Sequence, residues 1–172
     1  MRTRKKKVII LGALLFLSGV LLVWRLYPHS LDKIVLESAA SVESLSCNAV
    51  VAGVESGELF MDAYLLPSAA RGEADFDAVM DILSGTKYRQ DLRNLLPWPI
   101  TSVDDGGTHN GKSANVSLAW GDAERKYCYI MFHSDSVVAV DTGSDGFLIY
   151  HPTDRGVLNE LTEYIQTHGT RK

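Results

Sequence analysis

Cysteine is scarce in this 172-residue chain: only Cys47 and Cys128 occur, far apart and without Cys-x-x-Cys spacing. That pattern excludes a dithiol redox centre, and two thiols alone cannot complete a structural zinc site. Internal repeats and low-complexity tracts are absent, so solenoid and linker architectures are excluded. Neither a Gly-x-Ser-x-Gly run nor a Gly-rich loop leading into a helix is present, which removes the common serine-hydrolase and phosphate-cradling signatures. The five histidines, His29, His109, His133, His151 and His168, never recur at metal-ligand spacing within one element. They read as surface or half-buried imidazoles, although His133 and His151 could meet across neighbouring strands.

What is present suits one modest folded domain. Charged residues make up 22% and hydrophobic residues 46%, enough to pack a core and too apolar for wholesale disorder. The net charge of −4 averages two unlike parts. Arg2, Arg4, Lys5, Lys6, Lys7 and Arg25 cluster at the N-terminus, and the 17 basic residues less these six leave 11 against 21 acidic, a net of −10. A domain that acidic repels phosphate backbones, so nucleic acid is not an expected partner.

From Val8 to Trp24 the chain is uncharged and mostly apolar. With basic residues before it and Trp24, Arg25 and Tyr27 after it, the run predicts a transmembrane signal-anchor over 8–27, N-terminus inside. The expected organisation is a basic cytoplasmic tail at 1–7, that anchor, a linker at 28–32 and an extracytoplasmic domain at 33–172. A cleaved signal peptide competes, but Trp24-Arg25-Leu26-Tyr27-Pro28 is a poor cleavage site.

Beyond the linker, Lys33 to Glu37, Ala49 to Val54 and Glu58 to Leu66 are β-rich, with Ser56-Gly57 as a turn. Phe76, Val79, Met80 and Leu83 recur at helical spacing after Asp75, and Gly85 is placed to end that helix. Lys87 to Arg93 alternates as a strand would, until Pro97 and Pro99. Strand-like segments follow at Asn115 to Trp120, Arg125 to His133, Val137 to Val140 and Phe147 to Tyr150, spaced as an antiparallel meander. Val157, Leu158, Leu161, Tyr164 and Ile165 then form the apolar stripe of a final helix ending at Gly169. The expected fold is α+β: an N-terminal transmembrane helix, then a four-to-six-stranded antiparallel sheet packed by two helices.

Few residues carry candidate chemistry. Val138-Ala139-Val140-Asp141-Thr142-Gly143-Ser144 resembles the active-site strand and loop of aspartic proteases, which need two aspartates about one water. A single copy reads more simply as a hairpin turn, because Asp accepts local backbone hydrogen bonds and Gly takes positive φ. Asp141, Gly143, Asp145 and Gly146 half-match a calcium loop whose bidentate Glu is replaced by Pro152, and Asp104-Asp105-Gly106-Gly107 with Asn110 is another oxygen-rich loop. Both read as solvated turns, so no metal or cofactor is expected. Trp98, stiffened between Pro97 and Pro99, is the candidate contact residue if exposed. Cys47 and Cys128 are a candidate disulfide, since an oxidising compartment permits pairing.

The basic tail, the apolar run, Lys87-Tyr88-Arg89 after a helix, the meander and the terminal helix over Glu160 to Gly169 together resemble small single-pass exported domains of unknown function from Gram-positive bacteria. That resemblance implies no catalytic residues. The functional expectation is a non-enzymatic, membrane-anchored binding or interaction module at the cell envelope, with the lipid bilayer as one partner and an envelope protein or ligand as another. The alternatives are an aspartic-type hydrolase using Asp141, and a secreted effector released by signal cleavage.

Overall fold

The computed structural model describes residues 2–35, 37–103, 111–120, 126–141, 143 and 146–172, with side chains described from residue 10 onward apart from 25 and 126. The oxygen-rich loop at 104–110, His109, the Gly121-Asp122 turn and Asp145 lie outside these residues.

Among the described residues the helices are α1 (Arg2–Leu26), α2 (Leu31–Ile34), α3 (Ala74–Gly85) and α4 (Val157–His168). The strands are β1 (Val42–Glu55), β2 (Glu58–Ala70), β3 (Tyr88–Gln90), β4 (Lys112–Trp120), β5 (Lys126–Ser134), β6 (Val137–Asp141), β7 (Leu148–Pro152) and β8 (Thr170–Arg171). All eight join one antiparallel sheet in the order β3-β7-β6-β5-β4-β1-β2-β8. The expected meander is the run β4 to β7. The sheet exceeds the expected four to six strands because two short edge strands join it: β3, within the stretch Lys87 to Arg93, and the two-residue β8, too short for periodicity to register. The stretch expected as a strand over Lys33 to Glu37 instead begins inside the helical turn α2, which buries Leu31 and Ile34.

Period-two alternation divides the sheet into two faces. On one face Leu45, Cys47, Val116, Leu118, Ile130, Phe132, Val138 and Val140 are buried beneath α3 and α4. Helix α4 contributes Val157, Leu158, Leu161 and Ile165, each burial worth roughly 1.5–3 kcal/mol. Tyr164 Oη donates to Asp75 Oδ1 at 2.7 Å and ties α4 to α3. The β1–β2 hairpin closes at Ser56 and Gly57 with φ of 54° and 87°, the two positive angles of a type I′ turn. On the other face, Tyr127 and Tyr129 stay exposed. Among the described residues the end formed by β5, β6 and β7 is covered there: Val137, Ala139 and Ile149 pack with Met131, Phe147, Ile100 and Val103.

Two expectations are overturned. Among the described residues no helix is long and apolar enough to cross a membrane. Helix α1 takes the basic N-terminal residues into its own first turns, and the uncharged stretch between Lys7 and Arg25 is 17 residues, about 25 Å against a hydrocarbon core of about 30 Å. The transmembrane anchor over 8–27, the bilayer partner and the single-pass membrane location fall with it.

The disulfide is absent as well: Cys47 and Cys128 are both free and buried. Cys47 on β1 pairs with Val116, whereas Cys128 on β5 pairs with Leu118, so β4 runs between them. Two interstrand spacings of about 4.8 Å already exceed the roughly 7 Å that a disulfide tolerates between Cα atoms. Burial, reinforced by the charge of Asp75, pushes the Cys47 thiol up to about 12. Burial and Asp141 push Cys128 up to about 12 as well. Both thiols are therefore expected to resist a thiol reagent at pH 8 while the chain is folded and to react on denaturation without reductant. Intact mass after alkylation checks this, and a chain that takes up reagent only after reduction would contradict the register.

Candidate anion site at the β3 edge of the sheet

Strand β3 is only three residues long, so it leaves the outer edge of β7 without a strand partner beyond Tyr150. Backbone polar groups at such an edge need other partners. The chain after β3 supplies them. Asp91 N donates to Ile149 O at 2.9 Å, and the Asn94 side chain continues the pairing: Nδ2 donates to Ile149 O at 2.8 Å and Ile149 N donates to Oδ1 at 2.9 Å. A side-chain amide here stands in for a peptide group. Farther along, Phe147 N donates to Ile100 O at 2.9 Å, fixing the far end of the segment.

Asp91 also begins a 3₁₀ turn, Leu92–Leu95, by accepting Arg93 N at 2.7 Å. Its carboxylate takes Arg93 Nε at 3.0 Å and Nη2 at 3.1 Å, and lies 2.8 Å from His151 Nε2. Burial alone would raise the Asp91 carboxyl. The hydrogen bonds from Arg93 and His151, with the Arg93 charge, outweigh it and bring it down to about 2. Asp91 is thus a carboxylate at every ordinary pH.

The other ring nitrogen of His151, Nδ1, lies 2.7 Å from the carbonyl oxygen of Ser136. Both nitrogens therefore face acceptors. A neutral imidazole can donate to only one, whereas the imidazolium donates to both. In this arrangement neither nitrogen is open to take a proton from a substrate. The ring is held at both nitrogens, so it is placed as a positioned element of the wall rather than as a general base.

Beside His151 is a cavity of about 350 Å³ lined by Arg89, Ser136, His151, Pro152, Thr153 and Arg155. Arg89 is the register partner of His151 across β3 and β7, and Arg155 precedes α4. Both arginines are exposed. A second, smaller cleft of about 210 Å³ lies along the 91–100 segment, with Arg93, Leu96, Trp98 and Phe147 in its lining.

The residues singled out in the sequence fall in different places. Trp98 is 61% exposed and lines the smaller cleft, with Leu95 and Leu96 also exposed beside it. Asp141 stands at the end of β6 opposite Tyr129, where its Oδ1 accepts Gly143 N at 2.8 Å, as in an Asx turn. His133 is on β5 and His151 on β7, with β6 between them, so the two do not meet as neighbours. Among the described residues no group of three or more His, Cys, Asp and Glu side chains is placed to hold a metal ion.

Sequence reasoning missed Asp91, Arg93 and Asn94, because Lys87 to Arg93 was expected as one strand. The available signal was Asp91 as an N-cap ahead of a short turn. No family model, curated protein or solved structure matches the chain, so the geometry alone carries the functional argument.

Replacing Asp91 with Asn is expected to destabilise the fold by about 1.5–3 kcal/mol, the range for hydrogen bonds to a charged group, as read by urea denaturation. Because folding lowers the Asp91 pKa, its contribution is full above the unfolded-state value near about 4 and disappears as pH falls through about 2. Wild-type and D91N stabilities should therefore converge toward the acid end. A constant gap down to that end would show that the carboxylate charge is not what holds the segment.

Proposed function

We propose that this domain binds a small anion, a carboxylate or a phosphate, in the cavity beside His151. The observation that carries this reading is the lining itself: among the described residues, two arginines, an imidazole and two hydroxyl residues, with no carboxylate. Arginine presents a planar fork that matches both carboxylate and phosphate oxygens. Thr153 and Ser136 add neutral polar atoms to the lining, and His151, held by Asp91 and Ser136 O, presents a ring that cannot swing away. The Asp91 charge is directed at Arg93 and His151, and its side chain is only 15% exposed, so it does not compete for the cavity.

The membrane-anchored envelope module expected from the sequence is set aside with its anchor. An Asp141 hydrolase and a released effector stand closer to the structure, since neither requires a membrane-crossing helix. Among the described residues, however, no second carboxylate is hydrogen-bonded to Asp141, and a paired carboxylate is what aspartic chemistry uses.

Titration of the chain with inorganic phosphate and with succinate, followed by arginine Nε–H resonances, tests the reading. Saturable shifts at Arg89 and Arg155 are expected, weakening with added salt. Alanine at both arginines should reduce affinity by about tenfold or more, as loss of charge-assisted hydrogen bonds implies. If neither probe moves these resonances, the anion reading is wrong.

A further inference from the structure

The cavity beside His151 does not stand alone. Arg93 lines the Trp98 cleft, His151 lines the anion cavity, and the Asp91 carboxylate holds both side chains. The two recesses are therefore linked through one hydrogen-bonded carboxylate. They differ in chemistry: one is lined by Arg89, Arg155 and His151 with no large apolar side chain, whereas the other, beyond Arg93 and Asn94, presents Leu96, Trp98, Pro99, Ile100 and Phe147.

The apolar cleft is also stiff. Trp98 is bracketed by prolines, and the Ile100–Phe147 bridge closes one end. Gly146 lets the walls meet there, since a Cβ at that position would stand 2.8 Å from Pro99 Cβ and 2.9 Å from Ile100 O. A large aromatic held 61% exposed in so rigid a frame costs little further entropy to immobilise against a ligand. Exposed Leu95 and Leu96 extend the apolar surface beside it.

We infer that the ligand is an amphipathic organic anion whose charged head enters the Arg89–His151–Arg155 cavity and whose apolar tail lies in the Trp98 cleft. This rests on the anion reading and narrows it. Charge complementarity fixes the head, and the apolar lining of the adjoining cleft fixes the tail.

The test separates the two. The full chain is titrated with butyrate (head alone), phenylbutanol (tail alone), and phenylacetate, phenylbutyrate and phenylhexanoate (head and tail at increasing span). The Trp98 indole N–H and the arginine Nε–H resonances are followed. At least one phenyl acid should bind about tenfold or more tightly than butyrate or phenylbutanol, the scale of burying an aromatic ring. Trp98→Ala and, independently, Leu96→Asn should remove that gain while leaving butyrate binding unchanged. Both positions are exposed, which spares the core.

If butyrate binds but no phenyl acid binds more tightly, this inference fails and the anion site stands. If phenylbutanol matches the best phenyl acid, the recesses are uncoupled and the inference fails. If no acid shifts Arg89 or Arg155, both readings fail together.

Discussion

One carboxylate organises the β3 end of the sheet. Asp91 accepts four hydrogen bonds, three from Arg93 and one from His151, which saturates the roughly four acceptor positions of a carboxylate. Its low pKa follows from that saturation. Through it the 3₁₀ turn starts at the right place, Asn94 reaches Ile149, and the segment to Val103 lies down over Val137, Ala139 and Ile149. Without this covering, that end of the sheet would expose a second apolar face.

The same interaction joins structure to chemistry. Holding His151 between a carboxylate and a carbonyl oxygen leaves neither ring nitrogen open to a substrate and makes the ring a fixed element of a cavity wall. The domain as a whole is acidic, and that average conceals the site. Arg89, His151 and Arg155 come from the two partners of one strand pair and the turn that follows, so they converge on one cavity, while the nearby Asp91 carboxylate is turned to Arg93 and His151. In an acidic domain, an arginine-lined recess selects for contact at short range rather than for long-range attraction.

Two strong sequence signals met geometric limits. The apolar run of α1 is interrupted by charge on both sides before it reaches the thickness of a bilayer core, and among the described residues no helix meets the length and apolarity of a span. The two cysteines share a face, as alternation predicts for each strand by itself. Pairing, however, depends on which strands are neighbours, and β4 separates them. Periodicity reports the direction of a side chain and is silent on the order of strands.

The sequence by itself determined the α+β class, the meander, the helices α3 and α4 with their buried stripes, and the Ser56-Gly57 turn. Each depends on contacts within one segment or between adjacent ones, where local spacing and turn chemistry carry the information. It also marked Trp98 as stiff, through its flanking prolines. Only the tertiary structure decided the rest. The insertion of β1 between β4 and β2, the use of Asn94 as a substitute peptide, and the meeting of Asp91 with His151 join residues tens of positions apart. Such pairings leave no periodic trace, because each is fixed by one side chain finding an unpaired backbone group or charge after the sheet has formed.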